Sequence, residues 1–152
     1  MNQHFAFAKA IRNNIAETVK SLALEQLNKI PEGCNNNIAW HLGHILVSTE
    51  LLCYIRSGVK LNQEIPLQEK YRNGTKPETF IQQTEIDYFL SRLLPSLVAI
   101  ESDYAKGMFV TVKPYATHTF GIEMSTIETV FQACAHHDVL HAGCIGIMRK
   151  LV

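Results

Sequence analysis

The amino-acid sequence predicts an all-α fold in the form of a four-helix bundle. Apolar residues recur at three- and four-residue steps in four segments of the chain, which is the pattern of amphipathic helices. No segment of similar length alternates between apolar and polar residues as a half-buried strand does. A chain of 152 residues can also bury a core without disulfides or a structural metal, so we expect a single domain over residues 1–152.

The first two predicted helices cover residues 2–28 and 36–57. In the first, charged residues such as Arg12 fall between the apolar positions and are expected on the solvent-exposed face. The second helix is preceded by Asn35–Asn37, whose side-chain oxygens are good N-caps, and it is expected to end at Gly58.

The third and fourth predicted helices occupy the second half of the chain. The third is expected to begin at Pro77, a residue suited to a first helical turn, and to end at Gly107. The fourth opens with a capping box formed by Ser125 and Glu128 and runs nearly to the C-terminus. Residues 59–76, and the irregular stretch before the fourth helix, are long connections that could partly cover one end of the bundle.

The charge and composition of the chain exclude several classes of protein. Fourteen basic and fourteen acidic residues balance and no basic tract is present, so we expect no nucleic-acid partner. The N-terminal segment lacks the features of a signal peptide, and no stretch is expected to reach the length of a membrane span, which predicts a cytoplasmic protein with no membrane partner. The four cysteines are expected to be reduced thiols that mostly fill the core: Cys34, Cys53, Cys134 and Cys144.

Two histidines on the fourth predicted helix, His137 and His141, are spaced for a metal site. Residues four apart lie one turn apart on the same face of a helix, so both imidazoles can reach one point. That face also carries Val130, Cys134 and Met148, so it is expected to point into the core, where an imidazole without a partner costs about 1–3 kcal/mol. One more imidazole from a facing helix would complete a three-nitrogen site with an open coordination position, as in catalytic zinc centres.

The second predicted helix offers two candidates for the third imidazole, His41 and His44. Its least hydrophobic stripe, formed by Gly43, Glu50 and Ser57, is expected to face water. The two histidines lie on the opposite face of the helix, one on each side of the centre line of that face. His41 therefore rivals His44 as the ligand, or it is a group that hydrogen-bonds close to the metal without binding it.

Other residues near these positions are interpreted as parts of the pocket or the core. Trp40 suits the core or a pocket wall, and Ser48 lies on the inward stripe of the second helix. Cys144 lies almost a full turn beyond the histidine pair and suits packing better than metal binding. His136 lies off the inward face and His118 lies in a loop, so neither is expected to be a ligand.

Two familiar metal arrangements do not fit the sequence. A di-iron carboxylate bundle requires Glu-x-x-His on two helices, and no glutamate here is followed by histidine at that spacing. The stretch His137–His141 is similar to the HExxH of metalloproteases, but it has Asp138 where that mechanism needs a glutamate base.

The residues around these histidines resemble the DinB-like (YfiT-like) metalloenzyme family, whose members are four-helix bundles. Trp40–Ile45 (WHLGHI) looks like the family's W-x-x-x-H element, and His137–Ile145 (HDVLHAGCI) looks like its H-x-x-x-H-x-G-x-I element. The resemblance covers nearly the whole chain and implies one bundle domain of the DinB/YfiT-like type. It also implies that the metal ligands are His44, His137 and His141.

The same resemblance implies a metal-assisted enzyme. Characterised members include metal-dependent transferases that use low-molecular-weight thiols and a thiol-dependent maleylpyruvate isomerase. We therefore predict a thiol-dependent transferase or a hydrolase that acts on a small-molecule substrate, because a divalent ion can lower the pKa of a thiol or a water molecule. Zinc is the default ion for imidazole ligands, with nickel and iron as alternatives. The alternative function is a non-catalytic bundle that binds a ligand or a partner and keeps a vestigial metal site.

Some apolar residues lie outside the inferred inward stripes of the helices. They are Val47 and Leu51 on the second helix and Phe131 and Val139 on the fourth. A bundle surface that carries them would favour burial against a second copy, so the sequence is compatible with a homodimer but does not require one.

Overall fold

The computed structural model describes residues 2–152, and the chain is mostly helical, as predicted. In chain order the elements are α1 (Asn2–Lys20), α2 (Leu24–Asn28), α3 (Ile38–Glu50), a π-helical turn (Leu51–Ile55), a 3-10 helical turn (Asn62–Glu64), α4 (Gln68–Tyr71), α5 (Gln83–Ala105), β1 (Tyr115–Ala116), β2 (Glu123–Met124) and α6 (Ile127–Met148). The two short strands pair antiparallel between α5 and α6, with Tyr115 opposite Met124.

The four long helices α1, α3, α5 and α6 form the bundle. Both α1 and α3 pack against α5 and α6, so α1 and α3 lie diagonally opposite each other. Each long helix contributes buried aliphatic side chains to a shared core, including Ile15, Ile45, Leu93 and Ile145. The predicted all-α bundle is therefore confirmed.

A buried ion pair joins all four long helices at the centre of the bundle. Arg12 on α1 is fully buried, so the prediction that it faces solvent is wrong. Its Nε donates to Asp138 Oδ2 on α6 at 2.7 Å, and its Nη2 donates to Thr49 Oγ1 on α3 at 2.6 Å. Its Nη1 donates to Ser96 Oγ at 3.0 Å and to the Leu93 carbonyl at 3.1 Å, both on α5. The charged side chain is tolerated in the core because its donors meet acceptors on three facing helices.

The first predicted helix is divided in the structure. Helix α1 ends at Lys20, and α2 begins at Leu24. The Ser21 hydroxyl donates to the Thr18 carbonyl at 2.7 Å, and the Ser21 amide donates to the same oxygen at 3.2 Å. These local bonds tighten the last turn and compete with continuation of the helix.

The third predicted helix begins later than expected, at Gln83 rather than at Pro77. The residues before it form a segment without helix or strand that is hydrogen-bonded to α2. The Ile81 amide donates to Asn28 Oδ1 at 2.7 Å, and Asn28 Nδ2 donates to the Ile81 carbonyl at 3.0 Å. The Ile81 side chain is also fully buried, so its packing and these two hydrogen bonds hold the segment against α2.

The N-cap of α6 differs by one residue from the predicted one. Thr126 rather than Ser125 caps the helix, since its hydroxyl accepts from the Thr129 amide at 3.3 Å. The capping pair consists of two threonines, and Glu128 instead accepts a hydrogen bond from the Tyr104 hydroxyl at 3.0 Å.

Helix α3 is buried on nearly all sides, and every residue in it except Ser48 is buried. The prediction that Gly43, Glu50 and Ser57 face water is wrong, because all three are buried. The connection after α3 folds back over this side, and the Tyr71 ring of α4 lies against Gly43. A Cβ at that glycine would come within 2.5 Å of the ring, so glycine permits the close approach.

Helix α3 and the π-helical turn together are long and apolar enough to cross a membrane, contrary to the expectation from the sequence. The window Ile38–Ile55 has a mean hydropathy of 1.3, but 78% of it is buried inside the protein. A helix that is apolar all round is also what the core of a bundle requires, so this one window is weak evidence for a membrane span.

Most of the apolar residues that suggested a dimer are covered within the chain. Val47 and Phe131 are buried in the core and Leu51 is half-buried, whereas Val139 is exposed. The homodimer therefore stays a prediction, and it is supported by less exposed apolar surface than the sequence suggested.

Candidate metal centre

The capped start of α3 sets the positions of its two histidines, His41 and His44. The Asn37 side chain accepts a hydrogen bond from the Trp40 amide at 2.8 Å, and α3 begins at the next residue, Ile38. The ring of His44 stacks on the Trp40 indole, with 4.5 Å between the ring centroids and 12° between the planes. The indole therefore restrains the orientation of the His44 ring.

His44 presents its Nε2 atom to the interior of the site. Its Nδ1 lies 2.8 Å from the carbonyl oxygen of Tyr71. Because a carbonyl only accepts, Nδ1 carries the proton and donates, which leaves the lone pair of Nε2 free. A backbone carbonyl orients metal-binding histidines in this way in known metal sites.

Three imidazole nitrogens converge from α3 and α6. His137 Nε2 lies 3.0 Å from His141 Nε2 and 3.2 Å from His44 Nε2, and the three residues offer nitrogens that all lie within 4.8 Å of one another. Metal–nitrogen bonds of about 2.1 Å would place two ligand nitrogens about 3.0 Å apart at a right angle and about 3.4 Å apart in a tetrahedron. The separations in this three-histidine cluster therefore suit a divalent ion.

His41 lies behind His141 rather than inside the three-histidine cluster. The Nδ1 atoms of the two rings are 2.7 Å apart, so one ring donates to the other. A proton on His141 Nδ1 leaves the Nε2 lone pair of that ring free for a metal, with His41 as the acceptor. The other nitrogen of His41 is buried and has no hydrogen-bond partner within residues 2–152. Of the two rivals on α3, the structure brings His44 into the cluster and His41 into contact with a cluster member.

Burial keeps these four imidazoles neutral near neutral pH. It lowers the pKa of His41 to about 4, and the neighbouring His44 adds to the shift. It lowers the pKa of His137 to about 3 and the pKa of His141 to about 2, and neighbouring imidazoles add to both shifts. Burial also lowers the pKa of His44, although its hydrogen bond to a backbone carbonyl opposes the change. Neutral imidazole is the form that binds metal ions.

The cluster opens into a cavity of about 670 Å³. Helix α3, the π-helical turn, the loop that contains β1, and α6 all contribute to its walls. Leu52 and Leu140 are among its apolar lining residues, and Arg56 and Lys113 supply positive charge. In the part of the chain that the structure describes, no aspartate or glutamate lines it. A cavity of this size and mixed polarity suits a small-molecule ligand.

Of the other residues predicted to form the pocket, two line the cavity and one does not. The Trp40 indole N–H donates to the Thr75 hydroxyl at 3.1 Å, and the indole lines the cavity. Ser48 is half-buried and also lines the cavity, with its hydroxyl 3.3 Å from His44 Nε2. Cys144 is half-buried and is not part of the cavity lining.

The two histidines that were not expected to bind metal both lie outside the cluster. His136 is exposed on α6, with its ring centroid 6.3 Å from that of Phe120. His118 is exposed in the loop between β1 and β2, and it lines the cavity. The cavity therefore has one exposed imidazole in addition to the four buried or half-buried ones.

Arg12 and Asp138 support the site, although neither was predicted from the sequence to do so. Asp138 lies between the two histidines of α6, so its ion pair fixes the rotation of that helix about its axis and with it the direction of both imidazoles. A signal for Arg12 was present. It lies four residues after Ala8 and three before Ile15, on the apolar stripe of α1, where an arginine needs a buried partner.

The fold and the cluster define a helical-bundle protein in which three buried or half-buried histidines could hold a metal ion. A family model of the DinB superfamily matches residues 8–145, which contain both histidine motifs. The chain belongs to the DinB superfamily, and the family assignment made from the two motifs is confirmed. A comparison with curated proteins finds no match to the chain.

Proposed function

We propose that the protein is a metal-dependent enzyme, a thiol-dependent transferase or a hydrolase, in which His44, His137 and His141 bind one divalent transition metal. The observation that carries the proposal is the convergence of three neutral imidazole nitrogens at the wall of a cavity of about 670 Å³. Closed structural zinc sites use four protein ligands. Within residues 2–152, no fourth histidine, cysteine or acidic residue joins this group, which leaves room for a substrate.

When bound, the metal would supply a Lewis acid that lowers the pKa of a thiol or a water molecule. The residues of the chain provide the remaining functions. The Tyr71 carbonyl and the His41 ring orient the imidazoles of the cluster. Trp40 and Leu52 form apolar parts of the cavity wall, and the Ser48 hydroxyl offers a hydrogen-bonding group beside the cluster.

The donor set also supports a choice of metal. Zinc is the default ion for a site of imidazole nitrogens, and nickel or iron suits the same nitrogens if water completes a larger coordination shell. The nitrogen separation of 3.0 Å matches that of ligands at a right angle, about 3.0 Å. The separation of 3.2 Å lies between this value and the one for a tetrahedron, about 3.4 Å. We propose zinc first, with nickel and iron as the alternatives.

Metal content is the first test of this proposal. Protein made without a histidine tag and without added metal should contain close to one equivalent of a transition metal by elemental analysis, or take up one equivalent of zinc on titration. His137→Ala should abolish this uptake. His136→Ala is the matched control, because it removes the exposed neighbouring imidazole on the same helix. Substoichiometric metal with no tight uptake would favour the non-catalytic bundle instead.

Activity is the second test. The zinc-loaded protein should catalyse transfer of a low-molecular-weight thiol to chlorodinitrobenzene, or hydrolysis of nitrophenyl acetate. Either activity should disappear with metal removal and in His44→Ala, and it should persist in His136→Ala. An activity that survives metal removal would contradict the proposed role of the cluster.

A further inference from the structure

The cavity beside the three-histidine cluster carries two positive charges that no acidic residue balances. Arg56 and Lys113 both line it. Neither has a carboxylate within salt-bridge distance in the described part of the chain, residues 2–152. Most other basic residues do have such a partner, as Lys60 and Arg92 do with Glu50. The whole chain has no net charge, whereas the lining of this cavity carries positive charge without an acidic residue among the described residues.

Arg56 is held in position at the cavity wall. It follows the π-helical turn, and its amide donates to the Leu51 carbonyl at 3.3 Å. Its guanidinium carbon lies 3.8 Å from the centroid of the Tyr115 ring. Its carbonyl accepts a hydrogen bond from the Lys113 amide at 2.7 Å, which brings the two cationic residues together. A guanidinium that is already stacked loses less rotamer freedom when it binds an anion.

We infer that this cationic end of the cavity, formed by Arg56 and Lys113, binds an acidic group of the substrate while the reactive end of the substrate faces the three-histidine cluster. The inference rests on the proposed function for the reactive end, whereas the preference for an anion does not require a metal. A guanidinium pairs with a carboxylate or a phosphate through two parallel hydrogen bonds, and a lysine adds a mobile point charge. The substrate class is therefore a small organic anion.

The positions of the two ends define the shape of this anion. Arg56 follows His44 by twelve residues along one nearly continuous helical segment, which corresponds to an axial rise of at most about 18 Å. Leu52, Ile55 and Leu140 also line the cavity. An elongated molecule with an apolar body fits this arrangement better than a compact ion such as inorganic phosphate.

Three probes that differ only at one end test the inference. They are mercaptooctanoate, its neutral amide, and the corresponding alkyl phosphonate, each titrated calorimetrically into metal-free and zinc-loaded protein. At least one anionic probe should bind about tenfold or more tightly than the amide, because a hydrogen-bonded charge pair contributes about 1.5–3 kcal/mol. Preference for the carboxylate or for the phosphonate would identify which acidic group the substrate carries.

Variants separate the cationic end from the metal centre. Arg56→Gln should remove most of the preference for the anionic probe and Lys113→Gln part of it, while zinc affinity and circular dichroism stay unchanged. Lys150→Gln is the matched control, since Lys150 is exposed after α6 and also lacks an acidic partner within the described residues. Arg56→Lys should keep an intermediate preference, because it retains the charge and loses the planar fork.

The outcomes distinguish this inference from the proposed function. A preference for an anionic probe in metal-free protein that Arg56→Gln removes supports the cationic end, even if the cluster proves to bind no metal. Binding of both anionic probes within about twofold of the amide would overturn the inference, whatever the metal content. A loss of zinc affinity in Arg56→Gln as large as the loss of probe affinity would also overturn it, because the residue would then act through the fold.

Discussion

Replacing Asp138 with alanine should show how strongly the bundle depends on its central ion pair. Both side chains of the pair are fully buried, and Asp138 accepts from Arg12 Nε at 2.7 Å and from Nη2 at 3.3 Å. Asp138→Ala would leave a guanidinium that stays charged away from water, and removal of one partner of a buried pair costs about 3–5 kcal/mol. Because folded domains are stable by only about 5–15 kcal/mol, this loss is a large fraction of the total.

Thermal and urea unfolding, followed by circular dichroism, would measure the effect. For a domain of this length each kcal/mol shifts the melting temperature by about 2–4 °C, so Asp138→Ala should lower it by about 6–20 °C. Glu17→Ala is the matched control. The Lys20–Glu17 pair is 2.9 Å long with side chains 56% and 75% exposed, and exposed pairs contribute about 0–1 kcal/mol.

The double variant Arg12→Met/Asp138→Leu separates lost charge pairing from lost packing. Apolar residues of similar volume often replace a buried ion pair at little cost. We therefore expect the double variant to recover part of the stability lost in Asp138→Ala, with the remainder reflecting the hydrogen bonds from Arg12 to Thr49 and Ser96. A loss in Asp138→Ala no larger than that in the surface control would refute the reasoning, because the guanidinium would then have found water or another partner.

Three further results are expected. In zinc titrations, His44→Ala should abolish tight binding and His41→Ala should weaken it about 10–100-fold, as loss of an orienting partner does; equal losses would contradict the ligand assignment. The metal-free protein should lose stability below about pH 6, because burial holds pKa values of about 2 to about 4 in the folded chain against about 6.5 in the unfolded chain, which then binds more protons. Each such histidine lowers the free energy of unfolding by up to about 1.4 kcal/mol for each pH unit of acidification. Urea midpoints that do not change between about pH 7 and pH 5 would contradict this predicted pH dependence. In urea unfolding, Gly43→Ala should cost about 1–3 kcal/mol because its Cβ would lie 2.5 Å from the Tyr71 ring, whereas Gly143→Ala, whose Cβ meets no atom within 4 Å, should not destabilise.

Local sequence patterns predicted the parts of the site that lie within a single helix. The spacing of His137 and His141 places their side chains on one face in any fold, because an α-helix repeats every 3.6 residues or so. The same periodicity located the four long helices, and Asn37 caps α3 within the predicted run of asparagines. Two short motifs on two helices were also sufficient to assign the family.

The tertiary structure decided which imidazole of α3 joins the cluster and which helix faces are covered. A helical wheel gives the angles of side chains about one axis, and it contains no information on what packs against each side. His41 and His44 lie on either side of the same inward face, and the packing of α6 and the Tyr71 carbonyl separate their roles. Arg12 can be buried because Asp138 pairs with it. The two residues are 126 positions apart in the sequence, so this contact exists only once the bundle has formed.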